Sequence, residues 1–172
     1  MTPVMQKYVL HWGEMGQRWG MNRTVAQVHA LLFLSDRPMA ADEITTALAV
    51  ARSNVSNSLK ELQTWELVRL VHIPGDRRDH FEALSDPWEM LMTIVEGRKR
   101  REIDPTLAML RACIAEAETD EATPQSVKDK MKAMGGFLEE LTGWYDQMRQ
   151  VPAPVLKKLI RLGARITAFL GR

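Results

Sequence analysis

The hydrophobic positions along this 172-residue chain recur mostly at helical spacing and divide it into amphipathic segments. Met5, Tyr8, Trp12, Met15 and Trp19 alternate steps of three and four, the seam of a helix that packs on another helix. Val25, Val28, Leu31 and Leu32 set the inward face of a second helix over residues 22–34. A short helix is predicted over 41–48, a tight turn over 49–51, and then a helix from Arg52. In that helix Val55, Leu59 and Leu62 recur at i, i+4 and i+7. The period then changes. Residues 67–73 and 80–82 read as two strands joined by the tip Pro74-Gly75-Asp76-Arg77-Arg78-Asp79, where Gly75 is free to take positive φ.

Helical spacing returns after the second strand. Asp86-Pro87 offers an N-cap followed by proline at the first helical position, ahead of Trp88, Leu91, Ile94 and Val95. Asp104-Pro105 repeats that signature and predicts a kink or break. Residues 119–124 read as a loop. Val127, Met131, Met134, Leu138, Leu141, Tyr145 and Met148 then keep an unbroken 4-3 spacing, with Gly135-Gly136 allowing close approach or a bend. Pro152-Ala153-Pro154 opens a last helix with Val155, Leu159, Leu162, Ile166 and Phe169 on one face. The expected fold class is mainly α with a small β-hairpin wing: a winged helix-turn-helix plus a helical dimerisation region. The expected domains are an N-terminal dimerisation helix (1–21), a winged helix-turn-helix (22–86) and a helical dimerisation and effector region (87–172).

The polar side of the helix from Arg52 carries the clearest chemistry. Ser53, Asn57, Lys60 and Thr64 lie opposite the apolar stripe, flanked by Asn54 and Ser56. A solvated helix face is usually filled with Glu and Lys, which favour helix. Short amides and hydroxyls are poorer helix formers but suit base edges: Asn bonds adenine bidentately, and Arg or Lys suits guanine. Arg52 sits at the helix start, the end that enters a major groove first. Arg77 and Arg78 at the hairpin tip are placed to reach phosphate or the adjoining minor groove. The bland readings are a polar surface helix and an ordinary charged hairpin. The candidate DNA-binding residues are thus Arg52, Ser53, Asn54, Ser56, Asn57, Lys60, Arg77 and Arg78.

The run from Ala41 to Trp88 resembles the MarR family of bacterial regulators. Ser53-Asn54-Val55-Ser56, Leu59-Lys60-Glu61-Leu62, Trp65-Glu66-Leu67-Val68 and the wing from Gly75 to Phe81 carry that likeness. With Trp19-Gly20-Met21-Asn22-Arg23 and the run from Glu96 to Pro105, they are similar to its GbsR-like branch. The resemblance implies a homodimer that represses or activates transcription in response to a small molecule. It implies quaternary-amine effectors such as choline or glycine betaine, which aromatic cages hold by cation–π attraction. Trp12, Trp19, Trp88, Trp144 and Tyr145 are the aromatics available, and core or interface packing is the plainer role for them. Ala40 and Ala51 depart from the pattern by standing where helix N-caps are usually Ser, Thr or Asp, a loss of ~0.5–2 kcal/mol each.

Composition narrows the function. At 45% hydrophobic and 26% charged residues, with a formal net charge of +1, the chain is an ordinary globular protein and not a strongly basic one. Residues 41–82 hold five Arg and Lys against seven Asp and Glu, so DNA affinity must come from the arrangement of charge. Binding that depends on salt and on dimerisation is expected. The single Cys113 excludes an internal disulfide and reads as a small buried hydrophobe. The first residues lack a signal-peptide pattern and no apolar stretch approaches spanning length, so a cytoplasmic location is expected.

The dimer contacts expected are Tyr8, Trp12 and Met15 from the first helix, with Met131, Met134, Leu138, Leu141 and Tyr145 from the long one. Two basic runs have solvated-face readings: Arg98-Lys99-Arg100-Arg101, and Arg149, Lys157, Lys158, Arg161, Arg165 and Arg172 near the end. The second gives an alternative, a membrane-associated or protein-interaction module with a basic terminal helix. The histidines His11, His29, His72 and His80 have no metal-ligand spacing, and no nucleophile elbow or phosphate loop is present. No catalytic residue, metal or cofactor is expected. The expected partners are double-stranded DNA, a second copy of the chain and a small-molecule effector.

Overall fold

The computed structural model describes residues 1–163, and the chain forms two compact units, one from Met1 to Ile94 and one beginning at Val95. The first opens with helix α1 (Pro3–Arg18), capped by Thr2, whose Oγ1 accepts from the Met5 amide. Its buried face is Val9, Gly13 and Gly16, between the positions of the sequence seam. A Cβ added at Gly16 would meet the Ala26 Cβ at 2.5 Å, so the glycines let α1 lie close against helix α2 (Arg23–Phe33). Asn22 Oδ1 accepts from the Thr24 amide at 2.8 Å and starts α2, which is buried along most of its length.

Strand β1 (Met39–Ala40) leads into α3 (Ala41–Leu48), and Ala49 turns the chain in a left-handed conformation (φ 54°) toward α4 (Arg52–Thr64). Strands β2 (Val68–Val71) and β3 (His80–Ala83) follow. The end of α4 is closed by two reversed bonds, Glu66 N–H to Gln63 O and Leu67 N–H to Leu62 O, with Glu66 at φ 60°. The sheet has three antiparallel strands in the order β1-β3-β2, with Met39 opposite Phe81 and Leu70 opposite Phe81 on the other side. The expected hairpin thus gains a third strand, which at two residues is too short to carry an alternation. Ile44, Val55, Leu59, Leu62, Leu67 and Phe81 meet Val9, Val28 and Leu31 in one core, and Met90 and Ile94 of α5 (Pro87–Arg98) pack against it. Asp86 caps α5 by accepting from the Trp88 amide at 2.6 Å.

Ala40 and Ala51 give no side-chain cap, as the sequence implies. At α3 the loss is partly offset. Glu43 Oε2 accepts from the Ala40 amide at 2.8 Å, and Arg37 holds its other oxygen at 2.8 Å. The Arg37 hydrogen bond, then the Ala40 amide, bring the Glu43 carboxyl down to about 2.

The second unit does not break at Asp104-Pro105. Proline lacks an N–H, and its ring clashes with the carbonyl four residues back in an α-helix. Residues Lys99–Ile103 widen into π-helix, Asp104 N–H bonds Lys99 O, and α6 (Asp104–Thr119) continues. Asp120 organises the following turn by accepting from the Ala122 amide and the Thr123 hydroxyl. Helix α7 (Gln125–Met148) then packs on α6 at Gly135, where an added Cβ would lie 3.0 Å from Ile114 Cδ1. Pairs Arg111–Glu139 and Lys132–Glu118 flank the contact. Helix α8 (Ala153–Leu162) carries Val155, Leu159 and Leu162; the predicted positions Ile166 and Phe169, with Arg165 and Arg172, lie outside the described residues. No helix among the described residues is long and apolar enough to cross a membrane.

Candidate nucleic-acid interface

Val55, Ser58, Leu59 and Leu62 bury one side of α4, which turns Arg52, Ser53, Asn54, Asn57, Lys60 and Thr64 to solvent and leaves Ser56 half-buried. The helix therefore has a centre and two flanks. Arg52, Ser56, Lys60 and Gln63 line an open cleft of about 440 Å³, faced by Asp42 of α3 and by Leu70, Arg78 and Asp79 of the sheet and wing. On the other flank, Asn54, Asn57, Ser58 and Glu61 line a smaller notch beside Asn22 and Thr24 at the start of α2. Gln63 is absent from the sequence-derived set, although it lies seven residues after Ser56 and so shares its side of the helix. Thr64 is less available than its phase implies, because its hydroxyl donates to the Lys60 carbonyl at 2.9 Å.

The two wing arginines are held differently. Arg78 donates to Asp76 at 2.6 Å and to Asp42 at 3.1 Å, and these two carboxylates raise its pKa above the usual arginine value. Arg78 in turn holds the Asp76 carboxyl well below its ordinary range. Asp76 also accepts from the Arg78 amide at 2.9 Å, and the buried His80 bonds the Arg78 carbonyl through Nδ1 at 2.9 Å. The wing is thus tied internally and to the N-terminus of α3, with Arg78 as the tie. Arg77 is exposed and makes no ion pair within 4.0 Å among the described residues, and neither do Arg52 and Lys60. Those three present positive charge around the cleft, whereas Arg69 and Arg37 are occupied by Glu82 and Glu43.

Of the expected dimer contacts, Tyr8 and Trp12 stack at 5.5 Å and pack against their own unit's core, and Met15 is half-buried. Met131, Leu138 and Tyr145 are half-buried on the side of α7 that bears Gly135, whereas Met134 and Leu141 are exposed. The Tyr145 hydroxyl donates to Glu96 Oε2 at 3.0 Å, and burial followed by that carboxylate raises it to about 12. Arg149 also binds Glu96, and Lys99 binds Asp104 and Asp146. Lys99 and Arg98 of the basic run are therefore engaged in ion pairs. Trp19 and Trp144 are exposed, and Cys113 is half-buried with its Sγ 3.5 Å from Met109 Sδ. His29 is buried and its Nε2 has no hydrogen-bond partner. Burial lowers its pKa to about 4.

Residues 19–79 match the MarR family. The HTH-type transcriptional regulator YvaV of Bacillus subtilis (strain 168) is 22% identical over 131 residues, covering 74% of this chain and 72% of that protein. The HTH-type transcriptional repressor OpcR of the same organism is 18% identical over 137 residues, covering 77% and 74% respectively. The crystal structure of a transcriptional regulator superposes with a TM-score of 0.59 at 19% identity, over 84% of this chain and 99% of the other, and supports the same fold. The match spans α2, α3, α4 and the wing, the elements that form the cleft. Over residues 19–79, the chain is similar to MarR-family transcriptional regulators.

Proposed function

We propose that the chain is a homodimeric, sequence-specific DNA-binding regulator of the GbsR-like branch, acting in the cytoplasm and responding to a small molecule. Helix α4 enters the major groove, with Asn57 and Ser53 central and Arg52, Ser56 and Lys60 on the wing side. Asn54 reads from the opposite flank. Arg77 meets phosphate or the minor groove, and Arg78 serves first to hold the wing in place. The observation that carries this reading is the cleft between α4 and the wing, where Arg52 and Lys60 stand without a carboxylate partner among the described residues. Cations around a concave surface focus potential even when net charge is near zero.

Quaternary-amine effectors fit the branch resemblance, and the Tyr145 hydroxyl bonded to Glu96 puts an aromatic ring and a carboxylate together in the helical unit, chemistry that suits a cation. Selection of genomic fragments by the purified chain, followed by titration of the retained sequence, tests the reading. A retained common sequence bound more tightly than random DNA of equal length supports it; equal affinity for both overturns it. Calorimetry with choline and glycine betaine tests the effector, whose binding must change DNA affinity to count as control.

A further inference from the structure

We infer that helix α8 docks on an anionic phospholipid surface, an interaction that goes beyond the DNA-binding role proposed above and does not depend on it. α8 is the most strongly amphipathic helix among the described residues. At about 100° per residue, Leu162, Val155, Leu159, Leu156 and Ile160 fill one arc of about 160°. Lys157, Arg161 and Lys158 fill an arc of about 100° on the other side. No carboxylate side chain interrupts the stretch, because Asp146 is the last acid in the sequence. The 10 residues of α8 reach roughly 15 Å, about half of a ~30 Å hydrocarbon core, so the helix can lie in a membrane interface but not span it.

The helix is also set apart from its neighbours. Residues 149–152 turn the chain, Pro152 and Pro154 fix the start of α8, and among the described residues no other element of the unit packs along it. Val155, Ile160 and Leu162 are 45%, 64% and 42% exposed. An exposed apolar face rimmed by polar groups marks an interaction site. The charge beside it selects the partner. DNA would answer Lys157, Lys158 and Arg161 but leave Val155, Ile160 and Leu162 in water. A second α8 would cover the apolar face but bring three more cations and no acid. An anionic bilayer meets both needs. Its acyl boundary takes up an apolar helix face to a depth of about 5–10 Å, and the lipid phosphates lie level with the cations. Each lysine or arginine near such a surface strengthens binding roughly fivefold.

The test is co-sedimentation of the full chain with vesicles of phosphatidylglycerol or of phosphatidylcholine. The wild type is expected to bind phosphatidylglycerol about tenfold or more tightly than phosphatidylcholine, and raised salt to release it. Ile160→Gln is expected to weaken that binding about fivefold, and Lys158→Gln combined with Arg161→Gln about tenfold or more. All three side chains are exposed, so far-ultraviolet circular dichroism should not change. If Ile160→Gln loses helix, Ile160→Ala decides by the same readout. Equal affinity for the two lipids, or a charge variant that binds as tightly as the wild type, would overturn the proposal. So would a charge variant that loses binding while Ile160→Gln keeps it, since that pattern needs no apolar insertion. A wild-type dimer that Ile160→Gln dissociates, with lipid binding unchanged, would assign the face to a second copy and overturn it as well.

Discussion

The unit from Met1 to Ile94 and the unit from Val95 onward spend their apolar residues differently. In the first, Ile44, Val55, Leu62 and Val28 reach zero exposure in a core to which α1, α2, α3, α4 and the sheet all contribute. In the second, Leu107 and Ala117 are the buried hydrophobics among the described residues, and Met109, Phe137 and Trp144 remain more than half exposed. Residue number does not explain the contrast, because α6 and α7 are the long helices. Two helices packed side by side can cover only one face of each, whereas several helices packed with a sheet around one core can enclose it. The winged-helix unit is finished as a single chain. The helical unit has apolar surface left over, which is what an assembly element needs.

Leu62→Ala should break the first half of that contrast most strongly. Its side chain is fully buried between α4 and the core, so truncation should cost about 2–5 kcal/mol in urea unfolding. Met134→Ala, measured below the concentration of self-association, should shift stability by no more than about 0.5 kcal/mol. Comparable losses at both positions would show that α7 is already covered within one chain.

The next effect is set by His29. Burial lowers its folded pKa to about 4 from 6.5, so the unfolded chain binds the extra proton between those values. Its contribution is therefore complete above pH 6.5 and is lost as pH falls toward 4, on the order of 3 kcal/mol over that window. His29→Leu should flatten the pH dependence of stability across pH 4–6.5. A slope that survives the substitution would assign it to carboxylates, of which Glu43 acts lower, between 4.5 and about 2.

Legibility followed the same division. The i, i+4, i+7 stripe of α4 was readable because burial on one side leaves a one-dimensional periodic mark, and the Asp86 cap because capping chemistry is local. The tie between Arg78, Asp76 and Asp42 was not, since Asp42 lies 36 residues from Arg78 and only the β1–β3 pairing brings it near. On α7 the period was legible but its phase was not. The predicted seam divides between two sides of α7, with Met131, Leu138 and Tyr145 half-buried and Met134 and Leu141 exposed, and sequence alone does not say which side meets α6. Gly135 marks that side, because close approach requires it there. Leu138, expected at a dimer contact, is half-buried on the side of α7 that bears Gly135.

DNA binding sharpens the contrast by assigning recognition to the finished unit. Asn57→Ala should cost ~1–3 kcal/mol on the specific sequence and little on random DNA. Arg77→Ala should weaken both and reduce the salt slope by about one. Arg78→Ala should instead release Asp42, a carboxylate that lines the cleft, and untie the wing from α3, so its loss should exceed that of Arg77→Ala. Equal effects at the two arginines, measured by fluorescence anisotropy across salt, would remove the holding role given to Arg78.

The smallest effect is expected at Ala51, and it asks whether the finished unit has stability to gain. Ala51 already has N-cap geometry (φ −61°, ψ 140°), but its methyl accepts nothing, so amides in the first turn of α4 have no side-chain cap. A serine there can accept from the N2 or N3 amide without moving the backbone, worth ~0.5–2 kcal/mol. Ala51→Ser should raise the urea midpoint with an unchanged slope, since no extra surface is buried. It should also leave DNA affinity within twofold, roughly 0.4 kcal/mol by the usual conversion. A gain in stability accompanied by a large loss of DNA affinity would mean that those amides meet phosphate in the complex, and that the missing cap belongs to the binding surface.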